Sequence, residues 1–400
     1  MPILSLKESL TRGLRKDYRT SINSGQMIEI INMKSTEYGL APVGNIVETI
    51  TSSQLLHAET ASSTASPVYK DWPFPQMFIG KSSNLLAAKE GIYTITDPLV
   101  KLTTYDATSY ADAKSITAGG PWHFADMGDA WIFTNGECCV LRTNWHDVSG
   151  NDFPDKYYVS DIVINTCAYW EPGHGRVFTG GFSSSDTHPA FGTLDSNFVA
   201  WSTIGGGDVF WHFFEDEIDT HLDSVLEDRN EYGFMEMPWQ GDVLCLKPLG
   251  DYMMVYGDNG IGALYNASGI IGYKHVLDFG IPKRSAVGGD LHEHVFVSHD
   301  GDLYRISSSL QWQKVGYREY IWQMLGTVND TNGDNEIVVS LDPSERDYYI
   351  CDEDYSFVLG SRGLSRCNKS VTALTYQQST DTHDIRMTGK LIGVYSEVDV

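Results

Sequence analysis

One short pattern recurs five times along this 400-residue chain: an apolar run, a tight turn of Gly, Asp or Asn, and a second apolar run. The copies are MFIGKSSNLLAAKEGIYTI (77–95), AWIFTNGECCVL (130–141), YMMVYGDNGIGALY (252–265), HVFVSHDGDLYRI (294–306) and YYICDEDYSFVL (348–359). Asn-Gly or Asp-Gly between β-branched and aromatic runs is the strongest short-range hairpin signal. Both central residues of such a turn need a positive φ, which Gly and Asn tolerate best. The copies start near 78, 130, 252, 295 and 348, and the long gap after 130 is filled by RVFTGGF (176–182) and NFVAWSTIG (197–205). Six units at this spacing suit the four-stranded blades of a β-propeller, at roughly 40–50 residues per blade. A pair of sandwiches also has turns at short intervals and stays open as an alternative. The expected fold class is therefore all-β: a propeller of about six blade-like units, with an extended N-terminal arm and a short helical insertion.

The chain is 42% hydrophobic and 12% aromatic, enough for a sizeable core and unlike a disordered segment. Its apolar runs are too short to span a membrane, and the N-terminus has no continuous apolar stretch of the kind a secretory signal needs. The six cysteines (Cys138, Cys139, Cys167, Cys245, Cys351, Cys367) contain no C-x-x-C pair. They read as reduced core residues of a chain folded in cytosol rather than as a zinc or redox framework. The net charge of −25 argues against a protein that grips nucleic-acid phosphates. It leaves room for a channel that DNA passes without sticking.

That charge is uneven. Residues 1–34 carry six basic and three acidic side chains and so stand at +3, against −28 for the rest. A basic arm on an acidic body points to docking on an acidic neighbour, although a solvated terminus is the plainer reading of charge alone. The expected layout is an arm and linker over 1–70, a propeller body over 71–385 and a C-terminal tail over 386–400. MIEIINM (27–33) is a strand candidate inside the arm, and SSQLLHAETASSTASP (52–67) reads as linker. Within the body, Ile218, Leu222, Val225 and Leu226 form a helical stripe behind Glu215, Asp216 and Glu217, which places an acidic helical insertion at 212–236.

Chemical motifs are sparse. His292 and His294 share a strand face by their spacing, with His299 on the other, but two histidines lack the further ligands a zinc site needs. NDTNGDNE (329–336) alternates Asp330, Asn332, Asp334 and Glu336 but does not fit the EF-hand frame, and reads as a polar turn. Asp126, Asp129, Asp208 and Asp242 are the carboxylates a propeller glycosidase would direct at its axis; nothing in their spacing marks a pair. There is no nucleophile elbow, zinc-protease helix or P-loop. No catalytic residue, metal or cofactor is expected. FVAWSTIGGGDVFW (198–211) places Trp201 and Trp211 around a Gly-rich turn with Ser202 and Gly205, a packed blade corner anchored by indoles, with sugar stacking as the lesser reading.

At these residues the chain resembles a family. V-A-W-S-T-I-G-G-G (199–207) is similar to the W-S-x-x-G segment of tail hub or nozzle proteins of short-tailed bacteriophages, also called packaged-DNA stabilisation proteins. GDLYRISSSLQWQKVGYREYI (301–321) resembles their D-G-x-L and L-G-Y-x-E-Y stretches, SFVLGSRGLSR (356–366) their last blade, and GQMIEIINM with EYGLAP their opening. The acidic insertion and modest length depart from larger members. The resemblance implies a virion protein, folded in the host cytoplasm, that forms a six-fold ring below portal and adaptor rings and beside fibre or needle proteins. Genomic DNA would pass the lumen without specific binding. On that reading the chain is not an enzyme, and Arg12, Arg15, Lys16 and Arg19 are the arm's contacts to neighbouring subunits. A carbohydrate-active or carbohydrate-binding propeller, and a propeller adaptor for a host protein, are the alternatives.

Overall fold

The computed structural model describes residues 31–36, 39–42, 76–79, 84–88, 91–94, 100–106, 112–127, 131–143, 156–160, 162–183, 187–188, 192–202, 204, 233–328, 336–343, 345–352, 354–377 and 390–397. Strands β1 (Met33–Thr36) and β2 (Gly39–Pro42) form a hairpin. Blade 1 follows as β3 (Gln76–Ile79), β4 (Asn84–Ala88), β5 (Gly91–Thr94) and β6 (Val100–Lys101). Strand β7 (Thr104–Asp106) adds in parallel to the outer edge of blade 2, made of β8 (His123–Asp126), β9 (Trp131–Thr134), β10 (Cys139–Thr143) and β11 (Lys156–Ser160). In blade 3, β12 (Ile164–Trp170) and β13 (Arg176–Phe182) are followed by a small side ribbon of β14 (Thr187–His188) and β15 (Gly192–Thr193). The blade is completed by β16 (Phe198–Trp201) and β17 (Gly233–Glu236).

Blade 4 is an uninterrupted meander of β18 (Val243–Leu249), β19 (Tyr252–Gly257), β20 (Ile261–Ala267) and β21 (Ile270–Leu277). Blade 5 comprises β22 (Val287–Gly289), β23 (Glu293–Val297), β24 (Leu303–Ser307) and β25 (Trp312–Gly316), and leads into helix α1 (Arg318–Val328). Blade 6 is β26 (Val338–Asp342), β27 (Asp347–Cys351), β28 (Ser356–Gly360) and β29 (Gly363–Arg366). A last hairpin pairs β30 (Lys369–Gln377) with β31 (Lys390–Glu397). The all-β propeller expectation holds: six sheets, each with four antiparallel strands, and blades 2, 3 and 4, like blades 5 and 6, meet through their first strands. Thus β12 touches β8 on one side and β18 on the other, and β22 touches β26. Strand β30 touches β26 and β27 of blade 6 as well as β3 of blade 1, so the final hairpin lies between the last blade and the first. Strand β31 occupies the stretch expected to be a tail.

Strand periodicity builds the core between blades. Trp131 and Phe133 point toward blade 1 and pack with Phe78, Leu85 and Tyr93, whereas Ile132 points toward blade 3 and packs with Cys167, Val177 and Ala200. The same alternation separates Cys138 from Cys139, and all six cysteines are buried thiols, as their apolar surroundings implied.

The structure departs from the sequence reading in three respects. Five of the six units, four pattern copies and the gap-filling segments at 176–182 and 197–205, mark the second and third strands of a blade, but the copy at 77–95 spans the first three strands of blade 1. Residues 31–42, expected to lie in an extended arm, instead dock as β1–β2 on blade 6: the Asn32 N–H donates to the Arg366 carbonyl (2.9 Å), and Lys34 pairs with Asp347 and Glu345. Helix α1 was not anticipated, although Tyr320, Ile321, Met324 and Leu325 form its buried stripe. The expected insertion helix and its acidic first turn lie outside the described residues.

Candidate functional site

The blade-3 corner is a packing device. Trp201 closes β16 with its ring 5.9 Å from that of Phe178, and the Cα of Gly233 leaves room for the indole, since a Cβ there would come within 2.7 Å of it. Ser202 is fully buried: its N–H donates to the Val177 carbonyl (2.9 Å) and its Oγ accepts from the Val177 N–H (3.0 Å), which pins β16 to β13. Gly205 and Trp211 lie outside the described residues, as do Arg12, Arg15, Lys16, Arg19, Asp129, Asp208, Asp330, Asn332 and Asp334.

The histidines separate rather than converge. His292 is exposed in the turn before β23, so the strand-face argument that joined it to His294 fails. His299 is exposed at the tip of the β23–β24 turn. His294 is fully buried: its Nε2 bonds the Pro248 carbonyl (3.0 Å) and its Nδ1 the Tyr256 hydroxyl (2.8 Å). The two described candidate carboxylates do not meet either. Asp126 ends β8 opposite Trp131, beside the turn into the second strand. Asp242 precedes β18 at the other end of the blades, where its carbonyl accepts from Asp258 N–H (3.0 Å) and its N–H donates to Asp258 Oδ2 (3.1 Å). Among the described residues no group of three or more His, Cys, Asp or Glu is arranged to hold a metal.

A polar layer that the sequence reading missed lies across that end of the axis. The connector from blade 4 to blade 5 carries Arg284, only 9% exposed, against the β9–β10 turn of blade 2. Its Nη2 donates to the Thr134 carbonyl (3.4 Å), and its Nη1 lies 2.3 Å from where a Cβ on Gly136 would be. Below it, Thr166 links three blades. Its hydroxyl oxygen accepts from the Leu246 N–H (2.9 Å) and its proton goes to His123 Nδ1 (2.8 Å), while His123 also bonds the Arg284 backbone. Burial, with Arg284 and Lys247 nearby, holds His123 well below the ordinary histidine value, so it is neutral. Glu336, 8% exposed and two residues before β26, completes the layer. Burial raises its carboxyl above the usual range, against the pull of Lys283 and Arg284. Burial lowers the Arg284 guanidinium, against the pull of Glu336. The two form no direct ion pair; Arg284 Nε, Ser285 Oγ and Glu336 Oε2 are buried without a hydrogen-bond partner. Arg284 carries no local motif, and Glu336 was absorbed into a polar-turn reading, so only folding brings them together.

No family model and no curated protein matches this sequence. Among solved structures, the WD40 domain of Neurospora crassa Pan2 is similar at 12% identity and a TM-score of 0.43, over 79% of this chain and 86% of that one. U3-55K is similar at 11% and 0.42, over 77% and 86%. PorZ, a surface component of the type-IX secretion system of Porphyromonas gingivalis, is similar at 10% and 0.37, over 76% of this chain and 34% of its own length.

Proposed function

We propose that this chain is a structural propeller that works by docking other proteins, and more finely that it is a hub or nozzle subunit of a short-tailed phage tail. The observation that carries the coarser reading is the placement of the candidate catalytic carboxylates Asp126 and Asp242 at opposite ends of the blades, with Arg284 reaching from the blade 4–5 connector to Thr134 of blade 2 at one of them. A glycosidase needs two carboxyl groups about 5–10 Å apart flanking one bond. The finer reading rests on the W-S-T-I-G, G-Y-R-E-Y and S-R-G-L-S-R segments of the sequence. On this proposal DNA does not thread the propeller itself. The conduit is the opening between subunits of a ring, lined by acidic surface that repels phosphate. The basic arm docks each subunit to the neighbouring ring through Arg12, Arg15, Lys16 and Arg19. Negative-stain imaging of the full chain with portal and adaptor rings tests this: deleting residues 1–20 should abolish docking and leave the propeller folded. Unaltered assembly of the deletion variant would refute the arm's role, and a chain that never joins a ring would refute the tail assignment. An adaptor that binds a host protein is the coarser reading's other form and predicts a monomer when pure.

A further inference from the structure

We propose that the outer aromatic face of blade 3, built on Phe234 and Phe198, is the docking surface for the acidic insertion between β16 and β17 of the same chain. The described residues leave eight large hydrophobic side chains exposed, and two of them bracket this insertion: Ile204 at 51% and Phe234 at 42%. Strand pairing gives Phe234 a definite direction. It lies opposite Ala200, which packs in the cluster shared with blade 2, whereas Val199 and Trp201 pack toward blade 4. Phe234 therefore stands on the blade-2 side, with its ring 5.8 Å from that of half-buried Phe198. Tyr105 of β7 and Tyr169 of β12 pack on the same cluster. Together they form an aromatic face at the rim of the propeller, with Phe234 as its exposed corner.

Three observations select the occupant. The first is where the chain leaves and returns. Trp201 pairs with Gly233, so residues 205–232, which lie outside the described residues, begin and end beside Phe234. A segment tethered at both ends meets this face at an effective concentration on the order of millimolar, ahead of a second molecule. The second is the sequence of that segment. Ile218, Leu222, Val225 and Leu226 form one helical stripe, and Asp216, Asp223 and Glu227 lie away from it. Such a stripe needs an apolar surface, and the nearest one along the chain is Phe234. The third is the sheet edge. Strand β17 is the outermost strand of blade 3. The outer edges of blades 2 and 6 each take a segment from outside the blade, β7 on β11 and Ile31 on Arg366. A helix laid over β17 protects the third edge in the same sense. Docking in this way buries the stripe against Phe234 and Phe198 and turns the acidic side outward. This inference does not depend on the tail assignment.

The test uses the full chain with introduced cysteines. Phe234→Cys is combined in turn with Leu222→Cys, Val225→Cys, Asp223→Cys and Glu227→Cys. The six native cysteines are buried and stay out of reaction while the chain is folded. Under mild oxidation a stripe position should close a disulfide within one chain, and the two acidic positions should close it at least about tenfold more slowly, because the bond requires close Cβ atoms. Hydrogen exchange is the second measurement. Amides 218–226 of the unmodified chain should exchange at least about tenfold more slowly than in an unstructured peptide. Phe234→Ser, a change at an exposed position, should remove that protection and leave β12 and β13 protected. Equal cross-linking at all four positions, amides 218–226 exchanging at the unstructured rate, or unchanged protection in Phe234→Ser would each overturn the proposal. Cross-links formed only between two chains would overturn it as well, and would assign the face to a second copy.

Discussion

His294 shows how a residue that looks like a metal ligand becomes a stability element. The Pro248 carbonyl can only accept, so Nε2 carries the proton, and Nδ1 must then accept from the Tyr256 hydroxyl. A second proton would break that bond inside a core with Lys247 nearby, and burial together with Lys247 pushes the pKa down to about 3 despite the opposing Asp290. The folded value lies below the ordinary 6.5, so acid protonates the unfolded chain first. Stability from this residue is present above pH 6.5 and drains away as pH falls toward 3, by up to the order of 5 kcal/mol. Urea unfolding of wild type and His294→Gln across that window should give a difference that shrinks with acid; a constant difference would contradict the tautomer assignment. Gly136 is the other residue with a clear expectation. Its φ of +85° and the nearness of Arg284 Nη1 both oppose a side chain. Gly136→Ala should lose about 1–2 kcal/mol from the backbone term alone, read as a lower urea midpoint.

Among elements, the turns separate what the sequence discloses from what it conceals. The Gly- and Asn-bearing turns fall where the pattern placed them, yet they are not the two-residue, doubly positive turns that Asn-Gly implies. The connections at 135–138, 257–260 and 352–355 are four-residue loops closed by a bond from the first N–H to the last carbonyl (3.4, 2.9 and 2.9 Å). In two of them the first side chain caps the turn: Asn135 Oδ1 accepts from Glu137 and Cys138 (3.0 Å each), and Asp352 Oδ1 accepts from Asp354 (2.8 Å) and Tyr355. Among the described residues, hairpin turns with two successive positive φ values are His174–Gly175, at 62° and 66°, and Ser268–Gly269, at 55° and 95°, which no Asn-Gly or Asp-Gly marks. Hairpin existence is a local property of alternating apolar runs and was legible; turn type depends on loop length, which a dipeptide such as Asn-Gly does not fix by itself, since the loop at Gly257 has the same four residues with no capping side chain. Helix α1 was hidden for a related reason: it follows directly on β25, through Gly316 and Tyr317 at φ 98° and 68°, and its first turn was absorbed into the family-like segment at 301–321. The segments that carry the phage resemblance are scaffold in the same sense, since Ser202 holds two strands together. Ser202→Ala leaves the buried Val177 N–H without its second-strand acceptor and should cost about 1–3 kcal/mol, measurable as a shift in urea midpoint. A change within experimental error would mean that the corner is held by Trp201 packing alone.

At the scale of the molecule, the blades were legible because each is a local meander, while the axial layer was not, because Asn135, Arg284 and Glu336 come from three distant connections. Closure belongs to this scale too. Blade 1 meets blade 6 where Val338 of β26 enters the buried cluster that holds Phe78, Leu85 and Tyr93, and β30 adds a second link, touching β26 and β27 on one side and β3 on the other. The final hairpin, a segment outside either sheet, therefore reinforces the junction of the first and last blades. Docking of β1–β2 is different in kind: Lys34, Asn32 and Ile31 attach to blade 6, and Asn32 also to Asn368 in the link into β30. A chain cut after Cys367 should therefore expose the facing surfaces of blades 1 and 6 and unfold at lower temperature, by about 10 °C or more if closure is worth several kcal/mol. Its transition should also broaden as the end blades fray before the middle ones. A chain lacking residues 1–30 retains every ring contact made among the described residues and should keep both midpoint and sharpness. Calorimetry on the two truncations decides the point: equal effects would show that the propeller is held by its blade-to-blade packing alone and that β30–β31 decorates a ring already complete.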